Sequence, residues 1–280
     1  MHAYRHLFHA GNFADVLKHS LLVRLALGLA RKEKPFLYAE THAGLGSYDL
    51  AHPWAQKNRE FAAGVARVWQ RSDAPGLLQP YLDAVRGANP HGALRRYPGS
   101  PLLVRELQRP GDRMVLIEVN AEDCRVLERT FADDEAVKVE RGDGFRLLKA
   151  HLPPPERRAL VLIDAAFDAP GELGRVVATL VDGHRRFASG VYALWYPLMR
   201  GAMPAFERDL VATGIRRMLR AEVEVREPRA AGRTLSGCGM LTVNPPFGFE
   251  QEAREICGWL ASALAVDPPG TSRVHWLVPE

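Results

Sequence analysis

The sequence has few cysteines and no long apolar run, and both absences exclude classes of protein. Its 280 residues include three cysteines, Cys124, Cys238 and Cys257, which lie far apart and form no Cys-x-x-Cys pair. Such a set fits neither a disulfide framework nor a zinc site, so we expect no metal and reduced thiols in the core of a cytoplasmic protein. No segment reaches the ~20 consecutive apolar residues that a membrane-spanning helix needs.

Signals for export and for self-association are also missing. The first nine residues lack the charged-then-apolar pattern of a secretion signal, so we expect a protein that is not exported. No heptad or apolar stripe calls for a dimer, and we therefore expect a monomer without a membrane partner.

The composition is that of a folded globular protein. Hydrophobic residues make up 47% and charged residues 25% of the chain, and its length suits one large α/β domain or one domain with an insert. The net charge is only +4, but basic residues cluster within 1–35, 95–113 and 216–233. Clusters of this kind can bind phosphate backbones, although an ordinary solvated surface would also explain them.

Short apolar runs alternate with helical patterns, which is typical of a mostly parallel sheet. The patterns predict strands at 36–41, 114–119, 136–140, 159–164 and 191–196, and helices at 121–131 and 172–187. Two later strands, 215–226 and 238–244, are expected to pair antiparallel at the sheet edge through a turn at 228–232. A helix at 251–265 and a strand at 274–278 follow.

Residues 50–95 interrupt this alternation. They contain two helical patterns, 61–69 and 77–85, before the alternation of strands and helices resumes. We therefore expect a sheet domain formed by residues 1–49 and 96–280, with residues 50–95 as a helical insert.

Glycines or carboxylates stand where four of the predicted parallel strands end. Gly44-Leu-Gly46 turns after the first strand and lacks the third glycine of a dinucleotide fingerprint, which argues against NAD. Glu118 could accept hydrogen bonds from both ribose hydroxyls, and Asp143 from an adenine amino group. Asp164 ends the next strand. A solvated charge would explain any one of them, but ligands bind at this edge of α/β sheets, so four together predict one pocket. This ordered set is typical of S-adenosylmethionine-dependent methyltransferases.

The string Asp164-Ala-Ala-Phe167 resembles the Asp-Pro-Pro-Phe/Tyr corner with which amino-methyltransferases hold the nitrogen that they methylate, with alanine at both proline positions. A second string, Asn244-Pro-Pro-Phe247, spells such a corner intact eighty residues later. Chain order favours Asp164, because the corner should end the fourth strand, soon after Asp143. The Asn244 string ends a late antiparallel strand, where prolines often simply terminate pairing. We expect Asn244→Ala to leave activity largely intact.

Longer motifs resemble the bacterial RlmJ family from end to end. They are Tyr4-Arg-His-Leu-Phe-His-Ala-Gly-Asn12, Asp15-Val-Leu-Lys-His19, Thr41-His-Ala-Gly44, Tyr97-Pro-Gly-Ser-Pro101, Trp195-Tyr-Pro197, Ser236-Gly237 and Trp276-Leu-Val-Pro-Glu280. The resemblance implies an α/β fold with a Rossmann-like methyltransferase sheet. It also implies S-adenosylmethionine-dependent methylation of N6 of one adenine in 23S ribosomal RNA.

The resemblance also implies site residues. The cofactor would be bound by His19, His42, Ser100, Glu118, Asp143, Gly144 and Asp164. Asp164 would also be the catalytic acceptor, Phe167 would stack on the flipped base, and the RNA would be contacted by Tyr4, Arg5 and Lys18. Without the resemblance, the histidines would be interpreted as core or capping residues, and Arg5 and Lys18 as surface charges.

The two alanines raise the question of how well the corner works. Alanine does not fix φ near −65° as proline does, so we expect a looser corner with cofactor binding retained and methyl transfer reduced. Two alternatives stay open. One is a DNA adenine-N6 methyltransferase, and the other is a catalytically impaired homologue that binds RNA or the cofactor.

Overall fold

An eight-stranded mixed sheet organises the protein, whose computed structural model describes residues 4–199, 201–227, 235–266 and 269–280. The strands within these ranges are β1 (Leu37–Glu40), β2 (Ser47–Asp49), β3 (Arg96–Pro98), β4 (Arg113–Glu118), β5 (Val137–Arg141), β6 (Ala159–Ile163), β7 (Val191–Pro197), β8 (Met218–Glu224), β9 (Gly237–Val243) and β10 (Thr271–Val278). The order in the large sheet is β10-β8-β9-β7-β6-β1-β4-β5, while β2 and β3 form a separate two-stranded sheet.

The sheet is parallel on one side and antiparallel on the other. Strands β5, β4, β1, β6 and β7 run parallel, so their carboxyl ends meet at one edge. Strand β9 runs antiparallel to both β7 and β8, and β10 antiparallel to β8. The predicted α/β class and the antiparallel pairing of the late strands are confirmed. The turn predicted at 228–232, and Arg229 and Arg233 of the third basic cluster, lie outside the described residues.

Helices cover both faces of the sheet. They are α1 (Phe13–Ala30), α2 (Pro53–Asn58), α3 (Gln79–Gly87), α4 (Ser100–Leu107), α5 (Ala121–Thr130), α6 (Gly144–Leu147), α7 (Glu172–Arg186), α8 (Met203–Ala212) and α9 (Phe249–Leu264). None of the helices in the described ranges combines the length and apolar character that a bilayer crossing requires.

Alternation along the strands divides the apolar side chains between two cores. In β1, Tyr38 joins the core that includes α1 and α9, while Leu37 and Ala39 join the core that includes α7 and α8. The three cysteines are buried free thiols, as expected. Helix α1 is enclosed on nearly all sides, because its apolar residues are not confined to one face.

The segment between β2 and β3 differs from its prediction in one place. The helix predicted at 61–69 is wrong, because two short 3-10 helices, Glu60–Ala63 and Val65–Arg67, occupy that stretch. Gly64 separates them with φ −113° and ψ −115°. A Cβ on Gly64 would lie 2.1 Å from the carbonyl oxygen of Gly11. The chain therefore approaches the N-terminal segment too closely for any residue other than glycine at position 64. The helix predicted at 77–85 corresponds largely to α3.

Candidate active site

A cavity of about 1050 Å³ opens at the edge where the parallel strands end. Its walls include Glu118 from β4, Trp195 from β7 and the two segments that follow β5 and β6, together with the start of α1. Ten of the eleven predicted site residues line it, namely Tyr4, Lys18, His19, His42, Ser100, Glu118, Asp143, Gly144, Asp164 and Phe167. Residues separated by up to 163 positions in sequence are thus brought to one place by the parallel strand ends together with the N-terminal segment and α1.

Arg5 is the predicted residue that does not line the cavity. Its guanidinium donates to Glu122 at 2.6 Å and to Asp123 at 2.7 Å, both in the first turn of α5. This pairing anchors the N-terminal segment to α5, whose residue Asp123 lines the cavity.

Asp164 is held by a buried lysine. The Lys18 ammonium lies 2.6 Å from Oδ2 of Asp164 and 2.9 Å from Oδ1 of Asp15, and its side chain is only 6% exposed. The interpretation of Lys18 as a surface charge is therefore wrong. Burial by itself lowers the pKa of Lys18, but the attraction of Asp15 and Asp164 outweighs burial and raises that pKa well above its usual range. Lys18 is charged at neutral pH, and it fixes Asp164 in position.

The polar contacts continue from Lys18 to Tyr4. Asp15 accepts a hydrogen bond from the amide of Gly11 and pairs through Oδ2 with Nε2 of His6 at 2.9 Å. The other ring nitrogen of His6 lies 2.8 Å from the Tyr4 hydroxyl. Burial raises the pKa of Asp15, but the charges of His6 and Lys18 outweigh this effect and hold the pKa well below its usual value. Sequence reasoning missed Asp15 and His6 as site residues, although both lie inside the quoted N-terminal motifs.

The corner after β6 has an unusual backbone. Phe167 has φ +53°, a left-handed conformation that is costly for a residue with a large side chain. Its ring lies 5.6 Å from the ring of Trp195, measured between centroids. The amides of Ala165 and Ala166 donate no backbone hydrogen bond to any residue that the structure describes. A proline at either position would therefore remove no such bond.

Glu118 and the glycine turn form the next part of the wall. Oε2 of Glu118 accepts from the amide of Gly44 at 2.8 Å, and Oε1 accepts from the amide of Asn120 at 2.7 Å. Burial raises the pKa of Glu118. Gly44 has φ +61°, and a Cβ there would lie 2.3 Å from the Tyr48 hydroxyl, so the turn requires glycine.

Asp143 and Gly144 shape the neighbouring wall. Asp143 caps α6 by accepting from the amide of Phe145, and its Oδ2 pairs with Arg175 at 2.9 Å. The Arg175 guanidinium lies 4.2 Å from the centroid of the Phe145 ring, which makes a T-shaped contact with the His42 ring. A Cβ on Gly144 would lie 1.9 Å from the carbonyl oxygen of Thr41. The close approach of these two loops explains why a glycine follows Asp143.

His19 is held in its neutral form. Its Nδ1 lies 2.7 Å from the hydroxyl of Tyr97, and burial lowers its pKa well below the usual value. His19 is therefore buried as the alternative interpretation of a core histidine predicts, and it also lines the cavity.

Ser100 leads to Glu40, a residue that sequence reasoning did not select. The hydroxyl of Ser100 donates to Oε1 of Glu40 at 2.5 Å, and the hydroxyl of Tyr38 donates to Oε2 at 2.8 Å. Glu40 is fully buried at the carboxyl end of β1. Burial, reinforced by the nearby negative charge of Asp164, raises its pKa to about 8. An acidic residue that ends an apolar strand was the signal available in the sequence.

Glu40 should make the stability of the protein depend on pH. Its pKa is about 8 in the folded state against an ordinary value of 4.5 for glutamate, so the folded state binds a proton that the unfolded state releases. Unfolding free energy should fall by about 1.4 kcal/mol per pH unit between about pH 5 and pH 8 from this group alone. Glu40→Gln should remove that dependence, and urea unfolding of both proteins across this range measures it. Parallel stability curves for the two proteins would contradict the prediction.

The cavity is acidic although the protein as a whole is basic. The described residues that line it include eight carboxylate side chains and four lysine or arginine side chains. Such a cavity attracts a cationic ligand and repels phosphate groups. A nucleic acid could therefore insert a base while its backbone stays outside.

Comparison with known proteins supplies an independent line of information. Residues 33–278 match the family model described as "Ribosomal RNA large subunit methyltransferase D, RlmJ". The chain is 43% identical to the ribosomal RNA large subunit methyltransferase J of Escherichia coli and 40% identical to that of Haemophilus influenzae, over 100% of both chains in each comparison.

A solved structure resembles the protein over nearly its full length. The crystal structure of protein LPL1258 from Legionella pneumophila superposes with a TM-score of 0.89 at 31% identity, covering 96% of this chain and 98% of that one. The sheet order and the surrounding helices are therefore those of an experimentally observed fold.

Proposed function

The chain belongs to the ribosomal RNA large subunit methyltransferase J (RlmJ) family, and from this premise we propose that it methylates N6 of one adenine in 23S ribosomal RNA with S-adenosylmethionine. The observation that carries the proposal is the position of Asp164. Its carboxylate lies in an acidic cavity at the strand ends, held by Lys18 through one oxygen only.

The residues around the cavity fit the proposed cofactor. Glu118 offers a carboxylate for ribose hydroxyls, Asp143 offers one for the adenine amino group, and Gly44 lets the backbone come close. The excess of carboxylates suits a ligand that carries a sulfonium and an ammonium group. His19, His42, Ser100 and Gly144 complete the set that we propose to hold it. When bound, the cofactor supplies an electrophilic methyl group.

Asp164 and the residues after it act on the base in this proposal. The N6 lone pair of adenine is delocalised into the ring, so it must be oriented before it can attack. Asp164 accepts one N6 hydrogen through Oδ1, and the carbonyl of Ala165 accepts the other. Phe167 stacks on the flipped base. The ion pair with the buried Lys18 ammonium holds the Asp164 carboxylate at the cavity wall. Positioning supplies most of the catalysis.

The acidity of the cavity also supports the proposal that the base is flipped out. A phosphate would be repelled by the carboxylates, whereas an uncharged adenine can enter and replace water there. Tyr4 lines the same cavity, and we propose that it contacts the nucleotide that enters.

Transfer of labelled methyl groups tests the proposal. Purified protein with labelled S-adenosylmethionine should modify unmethylated 23S ribosomal RNA, and digestion of that RNA should yield N6-methyladenosine. Duplex DNA containing adenine serves as the parallel substrate. Preferential labelling of the DNA would replace the proposal with a DNA adenine methyltransferase, and cofactor binding without labelling of either would favour an impaired homologue.

Asn244→Ala should lower stability while leaving methyl transfer unchanged. The Asn244 side chain donates to the carbonyls of Ala188 and Gly190 at the start of β7, and its φ is +54°. The string therefore lies at the opposite end of β7 from the cavity. Loss of these hydrogen bonds should cost about 1–3 kcal/mol in urea unfolding. Asn244→Gly, which tolerates the same φ, separates backbone strain from hydrogen bonding, and a lower single-turnover rate in either folded variant would contradict the prediction.

A further inference from the structure

Beside the cavity lies a partly exposed pair of aromatic rings, which we call the aromatic ledge and define as Phe8 and Trp54. Their rings stack with centroids 5.2 Å apart and an angle of 14° between their planes. Trp54 is 41% exposed, which is unusual for so large an apolar side chain. Phe8 belongs to the N-terminal segment and Trp54 to α2, within the 50–95 segment that we propose as the helical insert.

Two cationic side chains lie close to the rings of the ledge. The Arg5 guanidinium lies 5.7 Å from the centroid of the Trp54 ring, and the Lys57 ammonium lies 5.8 Å from that of Phe8. Arg5 is neutralised by Glu122 and Asp123. Lys57 is exposed, and in the part of the chain that the structure describes no carboxylate lies within 4.0 Å of it. Lys57 can therefore bind a phosphate without first breaking an ion pair.

The ledge adjoins residues that line the cavity in which Asp164 lies. Tyr4, His6 and His9 flank Phe8 in sequence and line the cavity, as do Asn58 and Arg59, which follow Trp54. Phe8 and Trp54 themselves are not among the lining residues, so they stand outside the space that the target base would fill. Phosphates are repelled by the acidic interior of the cavity but are attracted to Lys57, which does not line it.

We propose that the aromatic ledge binds a nucleotide of the RNA that flanks the target adenine, with its base stacked on Trp54 and a neighbouring phosphate on Lys57. This inference rests on the proposed function and adds a binding site to it. Exposed aromatics beside cations are the usual platform for single-stranded RNA, because every base offers a face for stacking. Stacking at the ledge would hold the strand on one side of the flipped base and so favour an unpaired or distorted target over a regular duplex.

Replacement of Trp54 and of Lys57 in the full chain tests the inference. The probe is 23S ribosomal RNA of Escherichia coli transcribed in vitro, and both its binding and its methylation are measured. Trp54→Ala should raise the KM for RNA at least about fivefold, which is the lower end of the stacking contribution, and should change kcat less. Trp54→Phe, which keeps an aromatic face, should restore most of the affinity. The logarithm of the RNA binding constant falls linearly with the logarithm of salt concentration. Lys57→Gln should make this slope less steep by about one.

A matched control exists on α9. Trp259 is also accompanied by a guanidinium, that of Arg71 at 5.5 Å, but it does not line the cavity, and Trp259→Ala should leave the KM and the salt slope unchanged. Equal RNA affinity in Trp54→Ala and the wild type would overturn the inference, as would equal losses in Trp54→Ala and Trp259→Ala. A fall in melting temperature and kcat at constant KM would assign the ledge a purely structural role and would also overturn it. Because binding is measured separately from methylation, failure of the ledge is distinguishable from failure of the proposed function.

Discussion

Asp164→Asn is expected to slow single-turnover methyl transfer to 23S ribosomal RNA by about a hundred- to a thousandfold, the usual effect of removing one preorganised polar group from a reacting centre. In the wild type, the carboxylate can accept from Lys18 through Oδ2 and from the base through Oδ1. Asparagine offers a single acceptor atom and turns an amide donor toward either Lys18 or the base. The base would therefore lose its orientation even when it still enters the cavity.

The measurement has to separate catalysis from cofactor binding and folding. Saturating S-adenosylmethionine removes any contribution from weaker cofactor binding, since Asp164 is also a proposed cofactor contact. Asp168→Asn makes the same chemical change at another residue that lines the cavity and should leave the rate close to that of the wild type. An Asp164→Asn rate within tenfold of the wild type would show that the carboxylate is dispensable.

Ala165→Pro combined with Ala166→Pro is expected to raise the single-turnover rate by up to about a hundredfold, the effect of correcting a misplacement of about 1 Å at a reacting group. Proline fixes φ at both positions and restricts the residue before each, so the carbonyl of residue 165 would be held where the amino group needs it. The two amides donate no backbone hydrogen bond within the described residues, and proline removes none. Phe167, with its left-handed φ, would then be preceded by a more rigid backbone.

The converse exchange is the control for this variant. Pro245→Ala with Pro246→Ala loosens the other string, which lies away from the cavity, and should not change the rate. Equal rates for the wild type and the Ala165→Pro, Ala166→Pro variant would contradict the prediction of a weakened corner. Transfer that appears only in the proline variant would identify the natural chain as an impaired homologue.

Much of the site could be predicted from the sequence because parallel strands deliver their ends to one edge. Glu118, Asp143 and Asp164 each stand at or just after the end of a predicted strand, and a rule about sheet edges was enough to group them. The same rule separated Asp164 from Asn244, because an antiparallel strand ends at the opposite edge. The N-terminal residues Tyr4, Lys18 and His19 came from the resemblance alone, since nothing in a helical pattern indicates where a helix docks.

What could not be predicted depends on contacts between segments distant in sequence. Lysine usually lies at the protein surface, and Lys18 becomes a buried cation only because it packs against Asp15 and Asp164. The raised pKa of Glu40 likewise requires its full burial beside Asp164. Gly64 ended a predicted helix because the backbone at Gly11 lies against it. Apart from the acidic residue that ends the apolar strand β1, local sequence carries no signature of these effects.

The central claim is that the chemistry occurs at the altered corner after β6 and not at the intact string after β9. The most direct test measures the single-turnover rate of methyl transfer to unmodified 23S ribosomal RNA, at saturating S-adenosylmethionine, for the wild type, Asp164→Asn and Asn244→Ala. We predict a loss of at least about a hundredfold for Asp164→Asn and a rate equal to that of the wild type for Asn244→Ala. A wild-type rate in Asp164→Asn together with a large loss in folded Asn244→Ala would contradict the account.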